Sequence, residues 1–323
     1  MAEKREGLFD ARVFVVIGLS VLLLLLPFLL TGRYLLRVLT QMVFFVVFSG
    51  AFSLLFGGTN QLFLCIAALA GISAYTSGLM TLHFGINHWL TVLLGSLLSM
   101  GVAAGLSYVA NIRRLGVVFV AILTLAFQLI FENVTTGLVG LTGGDTGFRP
   151  PPLPVEALAL FIGQDLVFYF MASALAIFSL VFNFWLLQKS KWGLIMEAIR
   201  SEELAAEVIG INVRRAKVLI AAFSGFMIGL AGAIYGYYNS LIAPIYYSFA
   251  GIDILSQVMA VFGGKATVLG PLIGSGIFTY INENIRFLGP VSLSVYGAVL
   301  IVLFASFRNG VVPTLRRWIR FVF

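Results

Sequence analysis

Few side chains in this 323-residue chain can do chemistry, and their spacing points away from catalysis. Gln128, Glu132, Thr135 and Thr136 recur at i, i+4, i+7 and i+8, which gathers them on one face of an otherwise apolar helix. Asp253 and Gln257 form an i, i+4 pair. Asn282, Glu283, Asn284 and Arg286 cluster, with Glu283 and Arg286 spaced for a local ion pair. Ionisable groups inside apolar helices face a pathway or a protein partner rather than lipid. Gln61, Gln128, Glu132, Thr135, Asp253 and Gln257 are therefore the candidates to line a polar path. His83 and His88 are five apart with no third ligand beside them, which fits hydrogen bonding at a helix end better than a metal site. The single cysteine, Cys65, lies in an apolar segment and reads as a small packing residue. No His/Asp/Glu cluster and no nucleophile-base spacing appears, so an enzyme is disfavoured.

The elements that hold these residues are membrane helices. Between Val38 and Ile112 the chain runs without one Asp, Glu, Lys or Arg, broken only at Gly57-Gly58-Thr59-Asn60-Gln61 and at His83 to His88. About 20 apolar residues span a bilayer, so this stretch holds three spans. Hydrophobic residues make up 60% of the chain, charged residues 10%, and mean hydropathy is +1.05, whereas a soluble domain carries about 25% charge. Further uncharged windows are 13–32, 115–131, 166–188, 218–252, 254–264, 266–282 and 287–307. The expectation is an all-α membrane protein of about ten transmembrane helices, forming one domain over 1–323.

The basic excess, 20 Lys+Arg against 13 Asp+Glu, is a topology signal rather than a nucleic-acid signal. With the N-terminus inside, the inner segments collect Lys4, Arg5, Arg12, Arg113, Arg114, Lys189, Lys191, Arg200, Arg214, Arg215, Lys217, Lys265, Arg308, Arg316, Arg317 and Arg320. The outer segments keep only Arg33, Arg37, Arg149 and Arg286. That asymmetry places both termini in the cytoplasm. Lys4 and Arg5 before an apolar run also suit a signal peptide, but the run is longer than a typical h-region and Phe28 to Arg33 offers no small-x-small cleavage site.

In lipid, helices associate through close backbone approach at small residues. Ala67, Gly71, Ala74 and Gly78 are spaced i, i+4, i+7, i+11, and so are Gly225, Gly229, Gly232 and Gly236. Each set stays on one face and forms a groove for a neighbour.

The longest charged stretch, 189–217, interrupts the apolar windows. Ser201 followed by Glu202 and Glu203 can begin a short helix, Gly210 can end it with a left-handed turn, and Asn212 can cap the next helix. Such a stretch forms a rigid docking knob, with Ala205 and Ala206 small so that a partner's surface can come close.

Here the residues carry a resemblance. The run Glu197-Ala198-Ile199-Arg200-x-x-Glu203-Leu204-Ala205-Ala206-x-x-x-Gly210-Ile211-Asn212 resembles the coupling loop of permease subunits in branched-chain amino acid ABC importers of the LivM type. Leu141-Thr142-Gly143-Gly144-Asp145-Thr146-Gly147, Phe262-Gly263-Gly264 with Leu269-Gly270-Pro271, and Gly71 to Thr76 agree in order along nearly the whole chain. The resemblance implies that Glu197, Arg200, Glu203, Ala205, Ala206 and Gly210 couple to an ATPase. It also implies an inverted-topology repeat of the second to fifth and seventh to tenth helices. Its implied partners are two ATP-binding subunits, a second related permease and a periplasmic substrate-binding protein, in the bacterial inner membrane.

The chain lacks Gly-x-x-x-x-Gly-Lys-Ser/Thr, so ATP and Mg belong to those partner subunits and no cofactor is expected on this chain. Two departures stand out. After the second span the chain reads Asn60-Gln61-Leu62-Phe63-Leu64-Cys65, keeping the family's glutamine and losing its glycines and serine. In the importer signature the leading charge shifts to Glu203 ahead of Leu204-Ala205-Ala206. The substrate implied is a branched-chain or hydrophobic amino acid, with urea and short amides as the alternative. The rival from another class is an ion-coupled secondary transporter relying on Glu132 and Asp253.

Overall fold

The computed structural model describes residues 17–28, 32–155, 160–161, 163–264 and 267–287, with isolated residues between 291 and 314. Most of the tenth apolar window lies outside the described residues, as do Lys4, Arg5, Arg12, Lys265, Arg308, Arg316, Arg317, Arg320 and the side chain of Arg286. The helices are α1 (Ile17–Phe28), α2 (Arg33–Phe52), α3 (Ile66–Phe84), α4 (His88–Ile112), α5 (Val117–Gly137), α6 (Val139–Thr142) and α7 (Gln164–Phe184). Then follow α8 (Lys191–Ser201), α9 (Glu203–Val208), α10 (Val213–Asn239), α11 (Ile254–Gly263) and α12 (Gly270–Arg286). Wider π-helical turns extend α2 through Ser53–Gly58 and α7 through Trp185–Lys189, and one precedes α11 at Phe249–Asp253.

Among the described residues, five helices are long and apolar enough to cross a membrane: Arg33–Gly58, α4, α5, Gln164–Lys189 and α10. The sequence reading counted the third window as a span too. α3 is rich in Gly, Ser and Thr, and its composition is tolerable because it is enclosed by protein: Ile66 to Gly71, Ser73, Ala74, Tyr75, Ser77, Gly78 and Thr81 are all buried. A helix buried along most of its length needs no continuous apolar coat, and α3 is exposed mainly at its end, at Leu82 and Phe84. α4 and α5 show the opposite, with Leu93, Leu97, Val118, Phe119 and Ile130 exposed on their outer faces.

α10 is the centre of the bundle and packs against α4, α3 and α2. Its glycines make this possible. A Cβ at Gly229 would stand 2.9 Å from Ser96 Cα and from Ser99 Cβ on α4, and one at Gly225 would stand 2.9 Å from Ser99 O. One at Gly232 would stand 2.5 Å from Ala70 O on α3, and one at Gly236 would meet the Tyr247 hydroxyl at 2.8 Å. On α3, Gly71 lies under Phe131 and Tyr247, and Gly78 under Ile242 and Phe148. At Gly225, Gly229 and Gly232 the neighbours include backbone atoms of another helix, where a side chain would force the helices apart, whereas Gly71, Gly78 and Gly236 make room for the side chains of Phe131, Phe148, Ile242 and Tyr247.

Two ends of the bundle differ. At one, Gly85 (φ +61) ends α3, and Asn87 caps α4 by accepting from the Trp89 amide at 2.9 Å. Beyond α6 and α10 the loops meet there in an antiparallel bridge, Phe148 N to Ile242 O at 3.0 Å and Ile242 N to Phe148 O at 2.9 Å. The other, basic end carries the α4–α5 turn with Arg113 and Arg114, and the whole of α8 and α9.

Candidate functional site

α3 begins inside the bundle, and its first amides have no partner within the helix. Cys65 occupies the N-cap and its side chain makes no cap bond. The missing acceptors come from far along the chain. Asp253 Oδ1 accepts from the Ile66 amide at 2.6 Å and Oδ2 from the Ala67 amide at 3.2 Å, while Gln128 Oε1 accepts from the Ala68 amide at 2.6 Å. The Asp253 carboxylate, fully buried, thus sits at the positive end of the α3 dipole. Each amide left bare in such a place would cost about 1–3 kcal/mol.

The supports of Asp253 are themselves supported. Gln128 Nε2 donates to Glu132 Oε1 at 2.9 Å and to Tyr247 O at 3.0 Å, and Glu132 Oε1 accepts from the Phe249 amide at 2.6 Å. Glu132 therefore caps the turn that carries Asp253, and α5, the turn and α3 close into one polar node. Thr135 is buried on the same face; its hydroxyl donates to Phe131 O at 2.9 Å, and its carbonyl accepts from Thr142 Oγ1 at 2.6 Å. Gln257 lies part-buried one turn beyond Asp253.

Gln61 stands apart from that node. It is buried near the basic end, where its Nε2 donates to Lys217 O at 3.2 Å and Thr59 Oγ1 at 3.0 Å, and its Oε1 accepts from Ser107 Oγ at 2.7 Å. A non-helical strap, residues 60–65, joins the two places.

At the basic end α8 and α9 form a knob. Ser190 caps α8 and Asn212 caps α10 by accepting from the Arg215 amide at 3.0 Å; between them Gly210 turns the chain at φ +88 with open space around it, so conformation alone demands glycine there. Ser201 does not begin the second helix. It is the last residue of α8, its hydroxyl donating back to Glu197 O at 2.9 Å, and Glu202 takes the N-cap position in extended backbone. The competing bond to its own preceding turn explains the difference.

Ala206 also departs from expectation. It is 1% exposed and packs inward with Ile199, Val213 and Ala216, so its smallness fits the knob's own core. The outward surface consists of Leu194, Leu204, Val208 and Ile209, which are 63–86% exposed, with Ala205 exposed beside them. Glu197 and Arg200 are exposed as well. Exposed apolar side chains on so charged a segment are the kind of surface that interaction sites present. Glu203 reaches the other way and pairs with Lys217 Nζ at the base of α10. A cavity of roughly 780 Å³ separates knob from bundle, lined by Asn60, Gln61, Tyr108, Arg114, Glu203 and Lys217 among others. Sequence reasoning missed Lys217 and Ser107. No helix periodicity relates Glu203 to Lys217 across the Gly210 corner, so spacing carries no signal of their contact.

A family described as branched-chain amino acid transport system / permease component matches residues 34–304. The chain belongs to that family. It is 21% identical to the high-affinity branched-chain amino acid transport system permease protein LivM of Escherichia coli K12, over 96% of this chain and 77% of that protein. It is 26% identical to the ribose import permease protein RbsC of the same organism, over 73% of this chain and 74% of that protein. The fructose import permease protein FrcC of Rhizobium meliloti is 24% identical over 80% and 72%. No solved structure matches the chain. The protein is thus a multi-pass permease component of the ABC importer class and not an enzyme, a class that works with ATPase and binding-protein partners. In that setting the knob and the polar node are the two features to be assigned roles.

Proposed function

We propose that this permease carries branched-chain or other hydrophobic amino acids inward, driven by ATP hydrolysis on two separate subunits that dock on segment 189–217. The observation that carries the reading is the uncovered apolar cap of Leu194, Leu204, Val208 and Ile209, in a stretch whose family motif includes Glu197, Arg200, Glu203 and Gly210. A second, related permease stands beside it, and a periplasmic binding protein delivers substrate. Residues 1–323 form a single transmembrane domain of about ten helices in the bacterial inner membrane, with both termini cytoplasmic, the basic end inside, and an inverted-topology repeat. Gln128, Glu132, Thr135, Asp253 and Gln257 border the translocation path.

Similarity to LivM over nearly the whole chain supports an amino acid. A sugar is the second reading, supported by the shorter matches to the ribose and fructose permeases. Reconstitution of the complex with its cognate binding protein in vesicles tests both. ATP-dependent leucine uptake, with no uptake of ribose or urea, is expected. Uptake of ribose alone would move the substrate to sugars, and uptake by the purified chain under an ion gradient without ATP would replace the importer with a secondary transporter.

A further inference from the structure

We infer that Lys217 and Gln61 are positioning residues that link the docking knob to the third helix, through the ion pair with Glu203 and the strap 60–65. Lys217 lies at the start of the second turn of α10 with its side chain 7% exposed, and its ammonium is held by Glu203 of α9. The other ion pairs among the described residues, Arg37–Asp165 and Arg114–Glu207, are 3.9 Å contacts whose cations are far more exposed than Lys217. A buried cation that loses its partner is left with an uncompensated charge, so α9 and the base of α10 are bound to move together.

From that pair a chain of bonds leads inward. The Lys217 carbonyl accepts from Gln61 Nε2, and Gln61 Oε1 accepts from Ser107 on α4. Next to Gln61, Asn60 holds a left-handed conformation (φ +54) and its Nδ2 donates to Arg200 O, the end of α8, at 3.1 Å. The start of the strap is therefore tied to the knob at Arg200 and to α10 at Lys217. Midway the Leu64 amide donates to Thr124 Oγ1 of α5 at 2.9 Å, and at the far end Asp253 holds the Ile66 and Ala67 amides. The roughly 780 Å³ cavity along one side of the pair leaves the knob room to swing against the α4–α5 turn, and the ion pair that reaches across it among the described residues, Arg114–Glu207, is exposed. A displacement of α9 is passed to Lys217, to Gln61, along the strap, and to the start of α3.

The inference rests on the reading of 189–217 as the ATPase dock, and its test is scaled to whichever solute the wild-type complex moves, so an error in substrate leaves it intact. The quantity to measure is solute imported per ATP hydrolysed by the complete complex in vesicles. Lys217→Met keeps the apolar stem and breaks the pair; Gln61→Met keeps the volume and removes the bonds to Lys217 and Ser107. Each should lower the ratio at least tenfold while the ATPase subunits still co-purify in wild-type amounts. The exchange Glu203→Lys with Lys217→Glu should restore most of the ratio. A wild-type ratio in either assembled single variant overturns the link, and so does failure of both to assemble, which would make these residues structural staples only.

Discussion

The polar node inside the bundle and the knob at its basic end invert the usual rule of inside and outside. In the node, polar side chains sit in an apolar interior because the backbone needs them: Asp253 and Gln128 supply acceptors that α3 lacks, and Glu132 does the same for the Phe249 turn. On the knob, Leu194, Leu204, Val208 and Ile209 stand exposed, with no cover among the described residues. A buried polar residue here is explained from within the subunit, and an exposed apolar one points outside it.

The strongest way to break the comparison is to attack the scaffold that both regions share. Gly229→Leu drives a side chain into Ser96 and Ser99 where a Cβ would already stand 2.9 Å from each, and overpacking against backbone costs upward of about 1–3 kcal/mol. Neither node nor knob should survive it: size-exclusion profiles in detergent should show loss of the assembled complex. Normal assembly would mean that α4 and α10 do not pack as described.

Next in size is the node itself. Asp253→Leu strips acceptors from two buried amides, a loss of roughly 2–6 kcal/mol at about 1–3 per amide, whereas Asp253→Asn keeps one carboxamide oxygen and should lose about half as much. Thermal unfolding midpoints in detergent should rank wild type above Asp253→Asn above Asp253→Leu. Equal midpoints would return Asp253 to a purely transport role.

The knob answers differently. Val208→Asp places a charge on its outward face and should leave folding unchanged while lowering ATPase-subunit recovery at least tenfold in pull-downs; Ala206→Asp should instead unfold the knob, because that side chain lies in its core. If Ala206→Asp leaves the knob folded and Val208→Asp leaves the ATPase bound, the inward and outward faces have been exchanged.

How much of this was legible beforehand follows from where the information resides. Glycine phase, the Gly210 turn and the Asn212 cap are local in sequence, and each stands in the structure at the residues that carry it; of the apolar windows, five appear among the described residues as helices long enough to cross a membrane. The i, i+4 spacing of Gln128 and Glu132 gave their common face, but not that the face turns toward α3 and Phe249, because the partners lie 60 and 117 residues away. Ala206 misled because a small residue on a short helix suits a close partner and a tight internal corner equally well, and only Ile199, Val213 and Ala216 decide between them.

The smallest expected effect falls on Glu132, and it sharpens the comparison most. Its Oε1 accepts from both Gln128 and Phe249, so one oxygen performs the whole structural task, and the residue is only part-buried. Glu132→Gln retains an acceptor of the same shape at that position and removes the charge. If the node were structural only, uptake and stability would both match wild type. If Glu132 also borders the path, as proposed, the unfolding midpoint should shift by no more than the equivalent of about 1 kcal/mol, the net worth of a typical hydrogen bond, while uptake by the assembled complex changes several-fold. The two outcomes separate because the same substitution holds the bonds constant and varies only the charge that a passing solute would meet.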